Sequence, residues 1–272
     1  MLKIDLHTHS VFSDGVLTEN ELVALAKRRH ISVLSLTDHD TARGVPSFLI
    51  SCKKHKIKGI AGIELSAEYP SVLHILGYRI DNERLSGCSL YKTIRESREA
   101  RNLEICEKLK NAGIDISFNE VLEESNLDII ARPHIARILV KKGYAKDMRD
   151  AFTKYLQDGA VGHASRFLAS PEECISLIRE NGGLPVFAHP WLTNSDISDI
   201  KQLAMRLKEY GLWGIEGYSN SNNSLRVYDI IKLAREVGLY VTGGSDFHGD
   251  VNNIGVMVPD DILPWARFCG GL

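Results

Sequence analysis

Seven short apolar runs in this chain each carry a histidine, aspartate or glutamate at or beside their end, and that recurrence limits the possible folds more than any other feature. The first run is the clearest. In Ile4-Asp5-Leu6-His7-Thr8-His9-Ser10 an extended backbone sends alternate side chains to one face, so His7 and His9 project together while Leu6 and Thr8 point away. Alone, such a pair reads as two hydrogen-bonded histidines. Repeated along the chain, it reads as one metal site assembled from many strand ends, and the amphipathic stretches between runs give the rhythm of a parallel α/β fold.

The later runs add to the pattern. Residues 31–36 lead into Thr37-Asp38-His39-Asp40, where His39 is a candidate ligand and the two aspartates are either its partners or helix caps. Residues 58–63 end in Glu64, a carboxylate costly to bury without a cation beside it. Residues 72–77 set His74 among aliphatic neighbours, and residues 184–188 end in His189-Pro190. Glu216 follows residues 213–215 and reads equally well as a site carboxylate or as the partner in a salt bridge or loop hydrogen bond. Residues 239–242 end in Gly243-Gly244-Ser245-Asp246-Phe247-His248, whose Asp246 and His248 repeat the spacing of His7 and His9. The two glycines read as room for metal or phosphate against the backbone. Polar residues at the C-terminal ends of buried strands are where α/β barrels keep their chemistry.

Other features read as structural. Thr18-Glu19-Asn20-Glu21 opens a helix as a capping box; His30 closes that helix, and His55 belongs to a solvated lysine-rich run. A long charged helix is expected over about residues 90–112, with Arg95–Glu99 and Glu104–Lys108 as i,i+4 pairs and its remaining charges on a solvated face. Residues 114–166 break the rhythm with several short helices and read as an insertion. Within it, Ala131-Arg132-Pro133-His134 places Arg132 and His134 at a helix start suited to an anion, with a surface arginine and a capping histidine as the competing interpretation.

The chain of 272 residues is 44% hydrophobic, enough for one barrel or two modest domains. Cys52, Cys88, Cys106, Cys174 and Cys269 are scattered, with no C-x-x-C, which argues against both a disulfide framework and a thiolate metal cluster. A net charge of −2 gives no drive toward duplex DNA, and no apolar span is long enough for a membrane. A cytoplasmic protein is expected.

Together HTHSVFSDG at 7–15, TDHD at 37–40, GIELS at 62–66, LHILGY at 73–78, FAHP at 187–190 and GGSDFHG at 243–249 resemble the polymerase and histidinol phosphatase (PHP) superfamily of metal-dependent phosphoesterases. The resemblance implies an α/β fold, a distorted seven-stranded (β/α)7 barrel made of residues 1–112 and 167–272. A small helical insertion at 113–166 would cap the active site. It implies that His7, His9, Glu64 and Asp246 hold one metal, that Glu64, His74 and His189 hold a second, and that Asp14, His39 and His248 hold a third. Two or three divalent ions are thus expected, manganese first, with iron, zinc and magnesium also compatible with imidazole and carboxylate donors.

The implied activity is hydrolysis of phosphate monoesters by hydroxide attack on phosphorus. Arg132 and His134 would bind the substrate, and His134, a water on the third metal and His248 are the candidates for protonating the leaving group. The Ala131–His134 insertion most resembles the group that acts on nucleotides, removing the 3′-phosphate of nucleoside 3′,5′-bisphosphates or trimming short RNA from its 5′ end. The expected partner is therefore a small phosphorylated substrate, a nucleotide or short oligonucleotide. A histidinol-phosphatase-like enzyme and a non-catalytic metal-binding module are the alternatives; the insertion opposes the first, and the full ligand set the second. His163 and Arg166, where the family is more apolar, read as solvated, with contact to a second phosphate of the substrate as the alternative.

Overall fold

A computed structural model describes residues 1–125, 131–250, 252–263 and 268. Its strands are β1 (Leu2–Asp5), β2 (Val33–Leu36), β3 (Lys58–Ser66), β4 (His74–Tyr78), β5 (Leu184–Phe187), β6 (Gly214–Tyr218), β7 (Tyr240–Gly243) and β8 (Val256–Val258). They form one sheet in the order β7-β6-β5-β4-β3-β2-β1-β8. The sheet curls until its ends almost meet. Beyond β1, Leu6 donates its N–H to Gly243 O at 3.1 Å and His9 donates to Phe247 O at 2.9 Å, giving a nearly closed barrel.

The seven-stranded (β/α)7 expectation is corrected in two respects. An eighth strand, β8, pairs antiparallel with β1, with Leu2 opposite Val258; at three residues it is too short to carry a periodic signal. In addition, β4 runs antiparallel to both β3 and β5. Only residues 67–73 join β3 to β4, whereas a parallel return needs a crossover of about a dozen residues or more. His74 therefore opens its strand. Its pairing with Ser66 at the end of β3 keeps it at the same barrel mouth as Glu64.

Helices α1 (Glu19–Arg28), α2 (Val45–His55), α3 (Asn82–Gly87) and α4 (Ser89–Asn111) come before the insertion region. There follow α5 (Phe118–Ser125), α6 (Arg132–Lys141), α7 (Met148–Ala151) and a π-helical turn, Phe152–Leu156. The chain continues through α8 (Pro171–Glu180), α9 (Pro190–Thr193), α10 (Ile197–Glu209) and α11 (Ser224–Val237). Thr18 and Glu21 form the capping box that their spacing predicts at the start of α1. No described helix is long and apolar enough to cross a membrane.

Apolar burial fixes these elements in place, each fully buried aliphatic side chain contributing about 1.5–3 kcal/mol. Ile63, Ile75, Phe187 and Ile215 pack against Ile178, Leu203 and Leu233 of α8, α10 and α11. A separate cluster joins Ile105 and Leu109 of α4 to Val121, Ile135 and Leu139 of α5 and α6. It begins inside α4, ahead of residue 113, so one long helix ties the insertion region to the barrel. On α4, Tyr91, Ile94, Arg98, Arg101, Ile105 and Leu109 recur three or four residues apart along one stripe. The solvated-face expectation fits Glu99 and Glu104 but is corrected for Arg98, whose side chain is 12% exposed, and for Arg101, at 8%.

Candidate metal centre

Alternation along the end of β1 turns Asp5, His7 and His9 to one face. Asp5 fastens that face to the loop after β7, accepting the N–H groups of Ser245 at 2.9 Å and Gly255 at 2.7 Å. The sequence points to room for a ligand at Gly244, but the structure uses the room for protein. A Cβ there would collide with the His7 side chain and stand 2.8 Å from Glu216 Oε1. Asp40, His189 and Asp246 hold left-handed backbone angles, with φ of 56°, 28° and 55°, a conformation that costs free energy and concentrates where side chains must be aimed.

Nine side chains named from sequence meet at this mouth. Ligand atoms of His7, His9, Glu64 and Asp246 lie within 4.8 Å of one another, as do those of His9, Asp14, His39 and His248. Glu64 Oε1 stands 2.9 Å from His74 Nδ1 and 3.0 Å from His189 Nε2, and those two nitrogens are 3.1 Å apart. Glu64 Oε2 is also 2.9 Å from His39 Nδ1 and 3.3 Å from His9 Nε2. Glu64 is therefore the centre of the cluster.

The electrostatics follow from this crowding. Burial opposes ionisation of Glu64 and Asp14, yet the surrounding imidazoles hold both carboxyls well below their usual range. Burial likewise opposes charge on His7 and His9, but neighbouring carboxylates overcome it and raise both, His9 to about 10. For His39 burial wins, and its pKa falls to about 4. Among the described residues, His7 Nε2, His9 Nε2, His39 Nδ1 and Glu64 Oε2 are buried with no hydrogen-bond partner. Buried polar atoms left unpaired are expensive, and ligand atoms converging in this way are what a cation satisfies. The donor set is imidazole and carboxylate without thiolate, so the residues fit divalent ions.

A surrounding layer sets the tautomers. Glu216 lies 3.2 Å from His7 Nδ1 and accepts the backbone N–H of His189 at 2.8 Å, which turns His7 Nε2 toward the cluster. Of the two interpretations for Glu216, the hydrogen-bonding one matches. Asp38 accepts from Ser10 Oγ at 2.7 Å and Ser13 Oγ at 2.6 Å, leaving Ser13 to accept from His9 Nδ1 at 3.3 Å. His248 Nδ1 lies 2.8 Å from Asp246 O; a carbonyl only accepts, so Nδ1 carries a proton and Nε2 is the atom turned toward Asp14, at 3.2 Å.

Beside the cluster lies a cavity of about 400 Å³, whose lining includes Asp14, His39, His74, Arg98, Arg132 and Arg166. The guanidinium of Arg132 sits 5.8 Å from the Phe152 ring centroid and 3.5 Å from Leu156 O. His134 is placed differently. It is buried, its Nδ1 accepts the Ala131 N–H at 2.9 Å, and it is absent from the cavity lining. Burial lowers its pKa to about 4, so the neutral ring caps α6. The structure thus places His134 at the start of the helix that carries Arg132.

Arg166 corrects the solvated expectation. Only 8% exposed, it stands 2.7 Å from Asp40 Oδ2, which also receives Arg98 Nη1 at 2.9 Å. His163 is more open and faces Asp158 at 3.3 Å. Arg98 and Arg101 were missed because their neighbours on α4 are charged; the signal available was their position on that helix's apolar stripe.

Comparison with known proteins adds four likenesses. The PHP domain family model matches residues 5–160. A 3′,5′-nucleoside bisphosphate phosphatase of Chromobacterium violaceum is 36% identical over 250 residues, covering 91% of this chain and 88% of that protein. A 5′-3′ exoribonuclease of Haemophilus influenzae is 31% identical over 272 residues, covering 98% and 99%. Among solved structures, a protein from Bifidobacterium adolescentis assigned as a metal-dependent phosphoesterase superposes with a TM-score of 0.86 at 27% identity, covering 98% of this chain and 96% of its own.

Proposed function

The chain belongs to the PHP domain family and is a hydrolytic enzyme, and on that premise we propose that it removes a phosphate monoester from a nucleotide. The 3′-phosphate of a nucleoside 3′,5′-bisphosphate is the first substrate, and the 5′ end of short RNA the second. One observation carries this assignment: a buried imidazole–carboxylate cluster opens directly onto an arginine-lined cavity. The names of the C. violaceum and H. influenzae relatives support the nucleotide class.

His7, His9, Glu64 and Asp246 would hold one divalent ion, Glu64 with His74 and His189 a second, and Asp14, His39 and His248 a third. Manganese is the ion proposed. When bound, such ions lower the pKa of water from 15.7 to about 7 and neutralise charge on phosphoryl oxygens. The protein's part is to aim and to hold. Glu216 and the Asp38–Ser13 pair fix the rings of His7 and His9, and Arg132 would clamp the scissile phosphate from the cavity side. His134, as the cap of α6, positions Arg132. His248, with Nδ1–H spent on Asp246 O, serves as a ligand rather than an acid. Residues 113–166 would form the cap over this mouth.

The test is phosphate release from adenosine 3′,5′-bisphosphate by manganese-loaded protein, with a chelated control and histidinol phosphate alongside. Chelator-sensitive release from the bisphosphate is expected. Release from histidinol phosphate alone would overturn the nucleotide assignment.

A further inference from the structure

We propose that Asp5, a buried carboxylate outside the nine-residue cluster, is a positioning residue: it holds Asp246 in its ligating pose and so couples binding of the first ion to closure of the barrel seam. This role rests on the assignment of His7, His9, Glu64 and Asp246 as ligands of that ion.

Asp5 stands where β1 changes neighbours. On one side of it, Leu2, Lys3 and Ile4 pair with Val258, Met257 and Val256 of β8. On the other, the Leu6 N–H meets Gly243 O and the His9 N–H meets Phe247 O, so the neighbour becomes the segment that carries Asp246. The Asp5 side chain spans the change. Its Oδ1 accepts the N–H groups of Ser245 at 2.9 Å and His7 at 3.3 Å, while its Oδ2 accepts the Ser245 hydroxyl at 2.5 Å and the Gly255 N–H at 2.7 Å. Four donors from three segments converge on one fully buried group. All four are neutral, so hydrogen bonds alone offset the burial of this carboxylate, and an ionised oxygen accepts them more strongly than a neutral one.

The consequence for the site runs through Asp246. Its side chain is 34% exposed whereas those of His7 and His9 are wholly buried, so packing holds it least, yet its Oδ1 stands 3.2 Å from Nε2 of both histidines. Its φ of 55° is left-handed, a conformation that persists only where the surroundings impose it. Asp5 supplies that imposition. It binds the preceding residue, Ser245, through both N–H and hydroxyl, and its bond to the His7 N–H sets Asp246 in register with the first ligand strand. Gly255 carries the same grip to β8: its φ is 88°, and a Cβ there would stand 2.7 Å from Lys3 Cε. By linkage, an ion that binds only the closed arrangement also tightens the seam.

The experiment titrates manganese into metal-free wild type, Asp5→Asn and Ser245→Ala by calorimetry, and follows backbone hydrogen exchange over residues 243–249 and 252–258. Asparagine keeps the shape but replaces one oxygen with a donor nitrogen, which faces other donors in either orientation. One ion is expected to bind about tenfold or more weakly in Asp5→Asn and severalfold more weakly in Ser245→Ala, with the others unchanged. Manganese is expected to slow exchange at Gly255, which is no ligand, in wild type and far less in Asp5→Asn. Saturating manganese should return kcat of the variants to within about threefold of wild type, the mark of a group that aims a ligand rather than one that reacts. Weakening of every ion alike, kcat that stays low at saturation, or unchanged affinity in both variants overturns the proposal. If Asp5→Asn does not fold, Ser245→Ala decides by the same readings. Wild type that binds no manganese overturns the ligand assignment and this role with it, whereas normal binding with indifferent variants overturns this role alone.

Discussion

The imidazole–carboxylate cluster and the arginine wall line one mouth with opposite deficits. In the cluster, ligand atoms of His7, His9, His39 and Glu64 converge unpaired among the described residues; in the wall, Arg98 and Arg166 meet the single carboxylate of Asp40, with Arg101 beside them. The first lacks cations and the second lacks anions. Their side chains also come from different places: strand ends of the barrel supply the cluster, whereas helix α4 and the segment before α8 supply the wall. A metal-and-phosphate chemistry is the one arrangement that completes both, and the barrel and the long helix can be altered separately to test it.

Glu64→Gln gives the largest separation. Glu64 lies within 3.3 Å of five imidazoles, those of His7, His9, His39, His74 and His189. Losing it should cut kcat by about a thousandfold or more and lower metal content measured by atomic absorption, with the arginine wall intact. Retained metal and activity would show that Glu64 is not the shared ligand. Asp40→Asn perturbs the other side. Stripping Arg98 and Arg166 of their buried counter-charge should destabilise the fold by about 3 kcal/mol in urea denaturation, with added inorganic phosphate restoring part of the loss and metal content unchanged. An unshifted midpoint would remove Asp40 as the wall's organiser. The smallest effect is expected from Glu216→Gln, which keeps the shape but weakens the hold on His7 Nδ1: metal affinity should drop about 10–100-fold in a fluorescent chelator competition. Equal affinities would reduce Glu216 to a packing role.

The cluster could be read from the sequence because its logic is local. His7 and His9, or Asp246 and His248, are two residues apart on extended chain, and most of the ligands stand at or beside an apolar run, so spacing and hydropathy mark them without knowledge of the partners; Asp14 is marked only by the family resemblance. The arginine wall has no such local mark. Arg98 and Arg101 sit among charged neighbours, Arg166 lies in a polar loop, and their burial depends on where α4 crosses the barrel mouth. The same limit explains the strand count: β4 returns antiparallel because its connection is short, and β8 is three residues long. His134 fits the capping interpretation that its position three residues after Ala131 allowed.

By itself the sequence determined the α/β rhythm, the capping boxes and the set of side chains that meet at the strand ends, since alternation and turn chemistry act over a few residues. Only the tertiary structure decided the direction of β4, the near closure of the sheet, the pairing of Glu216 with His7, and the gathering of three arginines around Asp40. Those outcomes depend on long-range burial and on charges brought together across the chain, which no window of sequence contains.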